Sequence, residues 1–133
     1  MVKVKTTLIC DDIRFERGNK LSLMGVYNEH IFVANFPFLF SKLGFFQTLT
    51  GVKDSEKFNL MLRGESISKI SINGEIKQDR DKNPDSNDAN IAIIFNSIAI
   101  QKPGRLIFET TLSSKEVFKF EIAIAKASAE HLK

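Results

Sequence analysis

Two stretches of this 133-residue chain bring chemistry-bearing side chains close together. The first, Cys10-Asp11-Asp12-Ile13-Arg14-Phe15-Glu16, offers a thiol, carboxylates and a guanidinium. The second, Lys77 to Asn90, reads KQDRDKNPDSNDAN and carries Asp79, Asp81, Asp85 and Asp88. A nucleophilic Cys10 needs a base, and neither His30 nor His131 sits in a motif that supplies one. A thiol inside an apolar run behaves as a small hydrophobe. An extended chain puts Asp12, Arg14 and Glu16 on one face. The plain reading of the cluster Asp11, Asp12, Arg14 and Glu16 is therefore ion pairing on a wet strand face; partner recognition, or an Asp–Arg contact that fixes a hairpin, is the sharper one. In the second stretch Asp79, Asp81, Asn83 and Asp85 alternate like the early ligands of a helix-loop-helix calcium site. Pro84 stands where that loop needs glycine, Asn90 where it needs a bidentate glutamate, and the flanks read as strands. That motif fails, which leaves Asp79, Asp81, Asp85 and Asp88 as a looser divalent-ion set or as a solvated loop. No G-x-S-x-G, phosphate loop, dinucleotide fingerprint or paired-histidine motif is present. The chain is expected to be no enzyme, with no catalytic residue and no cofactor.

The elements that must position these residues are strands. Val2 to Cys10 alternates and then closes into an apolar run, Asp11-Asp12 interrupts it, and Ile13 to Glu16 alternates again. Arg17-Gly18-Asn19-Lys20 reads as a turn, because Gly and Asn accept positive φ at least cost. Leu21 to Tyr27 returns as the second strand, and Asn28-Glu29 turns into His30 to Ala34. Pro37 argues against a central strand over Asn35 to Leu43, which reads as a crossing segment between sheets containing a short helical turn. Gly44 to Thr50, Phe58 to Arg63, Ile67 to Glu75 and Ala89 to Gln101 follow as strands. Arg105 to Leu112 and Glu116 to Ala125 form a last hairpin, the latter with the cleanest period of two. About eight or nine short strands at roughly 8–12-residue spacing point to one antiparallel β-sandwich, Ig-like or jelly-roll-like, with an open antiparallel barrel as the alternative. The domain spans residues 1–133, with 126–133 as a C-terminal tail.

Composition narrows the function classes. A single cysteine forms no internal disulfide, and no Cys/His cluster suggests zinc. The opening residues lack an apolar leader core, and no window approaches the ~20 apolar residues of a membrane span. A cytoplasmic protein is expected, with no membrane partner. The formal charge of +3 comes from scattered basic residues mixed with acids. Nucleic acid is therefore an unlikely partner, since phosphate tracking needs a clustered basic stripe. Phe36, Phe38, Phe40, Phe45 and Phe46 crowd more rings into a short span than one alternating face can hide. They are candidates for a protein-interaction surface, and bare sheet edges offer a second route through strand addition.

Cys10-Asp11-Asp12-x-Arg14 followed by Lys20-x-Ser22-Leu23-x-Gly25-Val26-Tyr27 resembles the N-terminal signature of a bacterial and phage-associated family of unknown function. Phe36-Pro37 and Lys42-Leu43 fit it loosely. The resemblance implies a small all-β protein without an assigned activity. Two functions remain. One is a non-enzymatic interaction or assembly module that binds another protein or itself as a homo-oligomer. The other is a ligand-binding or hydrolytic protein that uses a divalent ion at Asp11, Asp12, Glu16 or the Asp79 to Asp88 loop.

Overall fold

The alternation in the sequence is realised as nine strands in a computed structural model that describes residues 1–18, 20–53, 55–65, 67–76 and 88–128. In chain order they are β1 (Lys3–Glu16), β2 (Lys20–Tyr27), β3 (His30–Val33), β4 (Phe38–Thr50), β5 (Glu56–Gly64), β6 (Ile67–Ile76), β7 (Ala89–Ile100), β8 (Gly104–Leu112) and β9 (Val117–Lys126). They form a four-stranded sheet, β2-β1-β4-β7, and a five-stranded sheet, β3-β9-β8-β5-β6. Each sheet keeps two edge strands of its own, so the barrel alternative does not form and the fold is a two-sheet β-sandwich. Among the described residues no helix is long and apolar enough to cross a membrane.

Three features differ from the sequence expectation. First, the sandwich is not wholly antiparallel: β3 runs parallel to β9, with His30–Val33 beside Ala123–Lys126. This strand is a short pass between two crossings from sheet to sheet, and alternation encodes which residues point inward but not the sense of a strand. Second, Asp11-Asp12 does not interrupt β1, whose pairing with β2 continues through Asp12↔Met24 to Glu16↔Lys20. Third, Phe38 to Leu43 is not a crossing segment but the first part of β4, paired with β7 from Phe38↔Ile100 to Leu43↔Phe95. Pro37 stands just before the strand, where its missing N–H removes no ladder bond.

The crowding of phenylalanines is resolved within β4. Phe38 and Phe40 point inward at even positions, whereas Leu43, Phe45, Gln47 and Leu49 are buried at odd ones. Across the ladder β7 switches in step. Ile91, Ile93 and Phe95 pack on the core before the switch and Ile98 and Ile100 after it, with Ser97 at a φ of 57° between. A switch of face shared by two paired strands keeps the register of Phe40↔Ile98 and Lys42↔Asn96 and lets both sets of rings reach the interior.

Aromatic stacking joins the layers. Phe45 of the first sheet stacks on Phe108 of the second with centroids 5.3 Å apart, and Phe95 lies 6.0 Å from Phe108. Beside them runs a buried polar bridge: the Thr110 hydroxyl donates to Gln47 Oε1 at 2.8 Å, and Gln47 Nε2 donates to Thr7 Oγ1 at 3.1 Å. A neutral hydrogen bond nets ~1 kcal/mol, less than the ~1.5–3 kcal/mol from burying one such ring. The rings therefore supply the cohesion, and the bridge sets how the sheets align, because sliding them would strand a buried amide.

Candidate functional site

The site arises where β1 parts from β4. Their ladder runs from Lys3↔Thr50 to Cys10↔Gly44 and stops, while β1 continues with β2 alone. At the parting, β4 lies tight against β1 because residue 44 has no side chain. A Cβ there would stand 2.7 Å from Cys10 Sγ and 2.9 Å from Ile13 Cγ1. Beyond it opens a cleft of about 470 Å³, to which β1 brings Asp11 and Asp12, β2 Tyr27, β3 Phe32, and β4 Leu39 and Lys42. An adjoining groove of about 730 Å³, lined by Val26 to His30 and by Phe32, shares Tyr27 and Phe32 with the cleft.

The polar centre is built by the first hairpin. Gly25 adopts a φ of 67°, and a Cβ at that position would collide with the Asp11 carboxylate. Glycine thus leaves the space that Asp11 occupies, and the Tyr27 hydroxyl donates to Asp11 Oδ1. Burial first, then the hydrogen bond to Asp11 and its negative charge, push the Tyr27 phenol above its ordinary value. At neutral pH Tyr27 is a hydrogen-bond donor and not a base. Asp12 Oδ1 accepts the Ile13 N–H at 2.9 Å, while Oδ2 lies 3.8 Å from Lys42 Nζ. That ion pair is long and open to water, so it is weak and exchangeable.

Cys10 is fully buried at the base of this region. Burial, followed by the negative charge of Asp11, raises its thiol above the usual value, and Sγ lies 3.4 Å from the Asp12 carbonyl oxygen, to which it donates. A protonated, enclosed thiol packs; it does not attack.

The structure divides the charged cluster that the sequence groups together. Asp11 and Asp12 enter the cleft, with Lys42 of β4 as the cation facing Asp12. Arg14 and Glu16 lie exposed farther along the hairpin, where the Ser22 hydroxyl donates to Glu16. None of the five grouped phenylalanines is exposed: Phe40 and Phe45 are buried, and Phe36, Phe38 and Phe46 are half-buried. The exposed apolar groups at the cleft are instead Leu39, 61 % exposed, and Phe32, 40 % exposed. Both were legible as the outward members of alternating strands, had Phe38 to Leu43 been read as one.

Of the divalent-ion candidates, Asp79, Asp81 and Asp85 lie outside the described residues, as does His131. Asp88 accepts a hydrogen bond from Lys5 Nζ at 2.9 Å, and that bond, with a further one from Thr50, holds its carboxyl below the usual range. Among the described residues no three His, Cys, Asp or Glu side chains gather as a metal site.

Fold and site together define a two-sheet β-sandwich with an acid-centred, apolar-rimmed groove at one end. The chain belongs to DUF6941, a family of unknown function, which matches it over residues 5–125. No curated protein matches it. Among solved structures it is similar to a β-glucosidase from Listeria innocua in complex with glucose, at 12 % identity and a TM-score of 0.46 over 96 % of this chain. The chain spans 16 % of that enzyme's length.

Proposed function

We propose that this protein is a non-enzymatic interaction module of bacterial or phage origin that captures an extended segment of another protein in the groove between Asp11–Lys42 and His30–Phe32. The observation that carries this reading is the pairing of exposed apolar anchors with an acidic centre. Leu39 and Phe32 present rings and branches to water on the walls, while Asp11, Asp12 and Glu29 outnumber Lys42 within. The whole chain carries a formal +3, so this acidity is local and opposes the overall charge. A segment with a lysine or arginine flanked by bulky apolar residues fits it: the cation replaces Lys42 at Asp12, and the apolar neighbours cover Leu39 and Phe32. A cytoplasmic setting suits the reading, since Cys10 serves it as a reduced packing group.

Selection of random displayed peptides on the whole protein tests it. Enriched peptides are expected to place a basic residue beside bulky apolar ones. Their affinity is expected to fall by about tenfold, or ~1.4 kcal/mol, for Asp12→Asn and for Leu39→Ser. Both positions are at least partly open to water, so unchanged thermal melting would show the fold intact. Peptides lacking a basic residue, or affinities indifferent to both substitutions, would overturn the reading.

A further inference from the structure

The four edge strands of the sandwich are protected unequally. β2 carries Lys20 and the kink at Gly25, β3 has only four residues, and β6 carries Lys69, Glu75 and Gly74. These are the devices that ordinarily stop one sheet edge from pairing with another: charge, brevity and irregularity. β7 has none of them over its first part. Its sequence ANIAIIFNSIAI contains no charged residue, no proline and no glycine through twelve positions, and among the described residues its one ladder partner is β4. From Ala89 to Asn96 it follows β4 in constant register, and the irregularity at Ser97 comes only after that run. Beyond Ser97 the edge is flanked by β6, across a groove lined by Ile67, Ile70 and Ser97 to Ala99. Among the described residues, the regular part with no second ladder partner is therefore Asn90 to Asn96.

That part is symmetric in its own chemistry. Read outward from Ile93 it gives Ala92 and Ile94, then Ile91 and Phe95, then Asn90 and Asn96. We propose that two copies of this chain pair through β7, antiparallel about a two-fold axis at Ile93, so that their four-stranded sheets become one continuous sheet. In this register Asn90 faces Asn96 of the other copy, Ile91 faces Phe95, and Ala92 faces Ile94. Amides meet amides on the wet face and apolar groups meet apolar groups, as an isologous interface requires. A shift by one residue would place Asn96 against Ile91, or Asn90 against Phe95, and set core-facing residues opposite outward ones. The absence of charge on β7 lets two net-positive chains meet there without like charges in contact. A foreign strand could satisfy the backbone, but only a second copy is supplied with this symmetry by the chain itself. The pairing is independent of the groove, because no residue of β7 lines either part of it.

Sedimentation of the full chain from micromolar to millimolar concentration is expected to show a monomer–dimer equilibrium, and Ala92→Lys is expected to weaken it by at least about tenfold. Register is read separately by disulfide trapping in a Cys10→Ala background. Asn90→Cys together with Asn96→Cys is expected to give a covalent dimer under oxidised glutathione, since directly opposed antiparallel residues lie within disulfide reach. Either cysteine alone faces asparagine and is expected to give none. The trapping experiment decides the matter even where Ala92→Lys folds poorly. A chain that stays monomeric throughout, a dimer indifferent to Ala92→Lys, or trapping by a single cysteine as efficient as by the pair would overturn the proposal.

Discussion

The contact between Tyr27 and Asp11 can be interrogated with unusual directness, because Tyr27 is the one tyrosine of the chain and there is no tryptophan. Near-ultraviolet absorbance of tyrosinate therefore reports this phenol alone. Asp11→Asn keeps an acceptor in place and removes the negative charge. A hydrogen bond to a charged group contributes ~1.5–3 kcal/mol, and because Tyr27 is only half-buried and asparagine still accepts, the expected loss is ~1 kcal/mol. For a domain of this size that lowers the melting temperature by about 4 °C. The sign of the pH dependence follows from the raised phenol. The protonated form is the one the fold favours, so this stabilisation is complete below the ordinary tyrosine value of about 10 and is lost as pH rises above it. Spectrophotometric titration of the native protein is expected to show tyrosinate forming late, above the ordinary range, with the transition moved down in Asp11→Asn. An ordinary midpoint in the native chain, or a midpoint that Asp11→Asn leaves in place, would refute the assignment of Asp11 as the acceptor.

Gly44→Ala is expected to destabilise by ~2 kcal/mol through overpacking against Cys10 and Ile13. Chemical denaturation of Gly44→Ala, Cys10→Ala and the double variant should show coupling, with the cost of the added methyl smaller once the sulfur is gone. Thr110→Val leaves Gln47 Oε1 without its donor in the core and is expected to cost ~1–3 kcal/mol, whereas Phe108→Ala, which removes the ring stacked on Phe45 and tilted against Phe95, is expected to cost ~3–5 kcal/mol. Equal costs in the same denaturation assay would contradict the division of roles between rings and bridge. Cys10 is expected to resist iodoacetamide in the native protein at neutral pH, since burial raises its thiol and starves it of thiolate, and to react at the ordinary rate in denaturant.

How far the sequence could be read depended on which physical rule governed each element. Strands with one wet and one buried face, such as β9, announce themselves by period two, and the structure places Ile122 and Ile124 inward as that period requires. The failure at Phe38 to Leu43 has a specific cause. Pro37 argues against a central strand, yet β4 begins one residue beyond it, at Phe38. Five rings from Phe36 to Phe46 exceed what one alternating face can hide. The actual solution, a face switch shared with β7 at Ser97, is a property of two strands at once and leaves no mark in either alone. The site was legible in part. Asp11 and Asp12 stood out as charges beside a cysteine, but their partners Tyr27 and Lys42 come from the next strand and from β4, contacts that only the tertiary fold makes. The expectation that Asp12 would join Arg14 and Glu16 followed local geometry; Asp12 instead lines the cleft, 3.8 Å from Lys42, while Arg14 and Glu16 lie outside it.

The groove and the outer part of β7 occupy different parts of the first sheet. Gly25 and the parting of β1 from β4 adjoin the groove, whereas β7 keeps a constant register with β4 from Ala89 to Asn96. A dimer joined at β7 would leave both grooves uncovered and turned to opposite flanks of one continuous sheet. The consequence concerns affinity: a partner carrying two copies of a groove-binding segment on a linker long enough to reach both would bind far more tightly than one segment alone. That gain would vanish in Ala92→Lys while single-segment affinity stayed unchanged. Loss of both together would mean that β7 and the groove are coupled, not merely neighbouring, features of the same sheet.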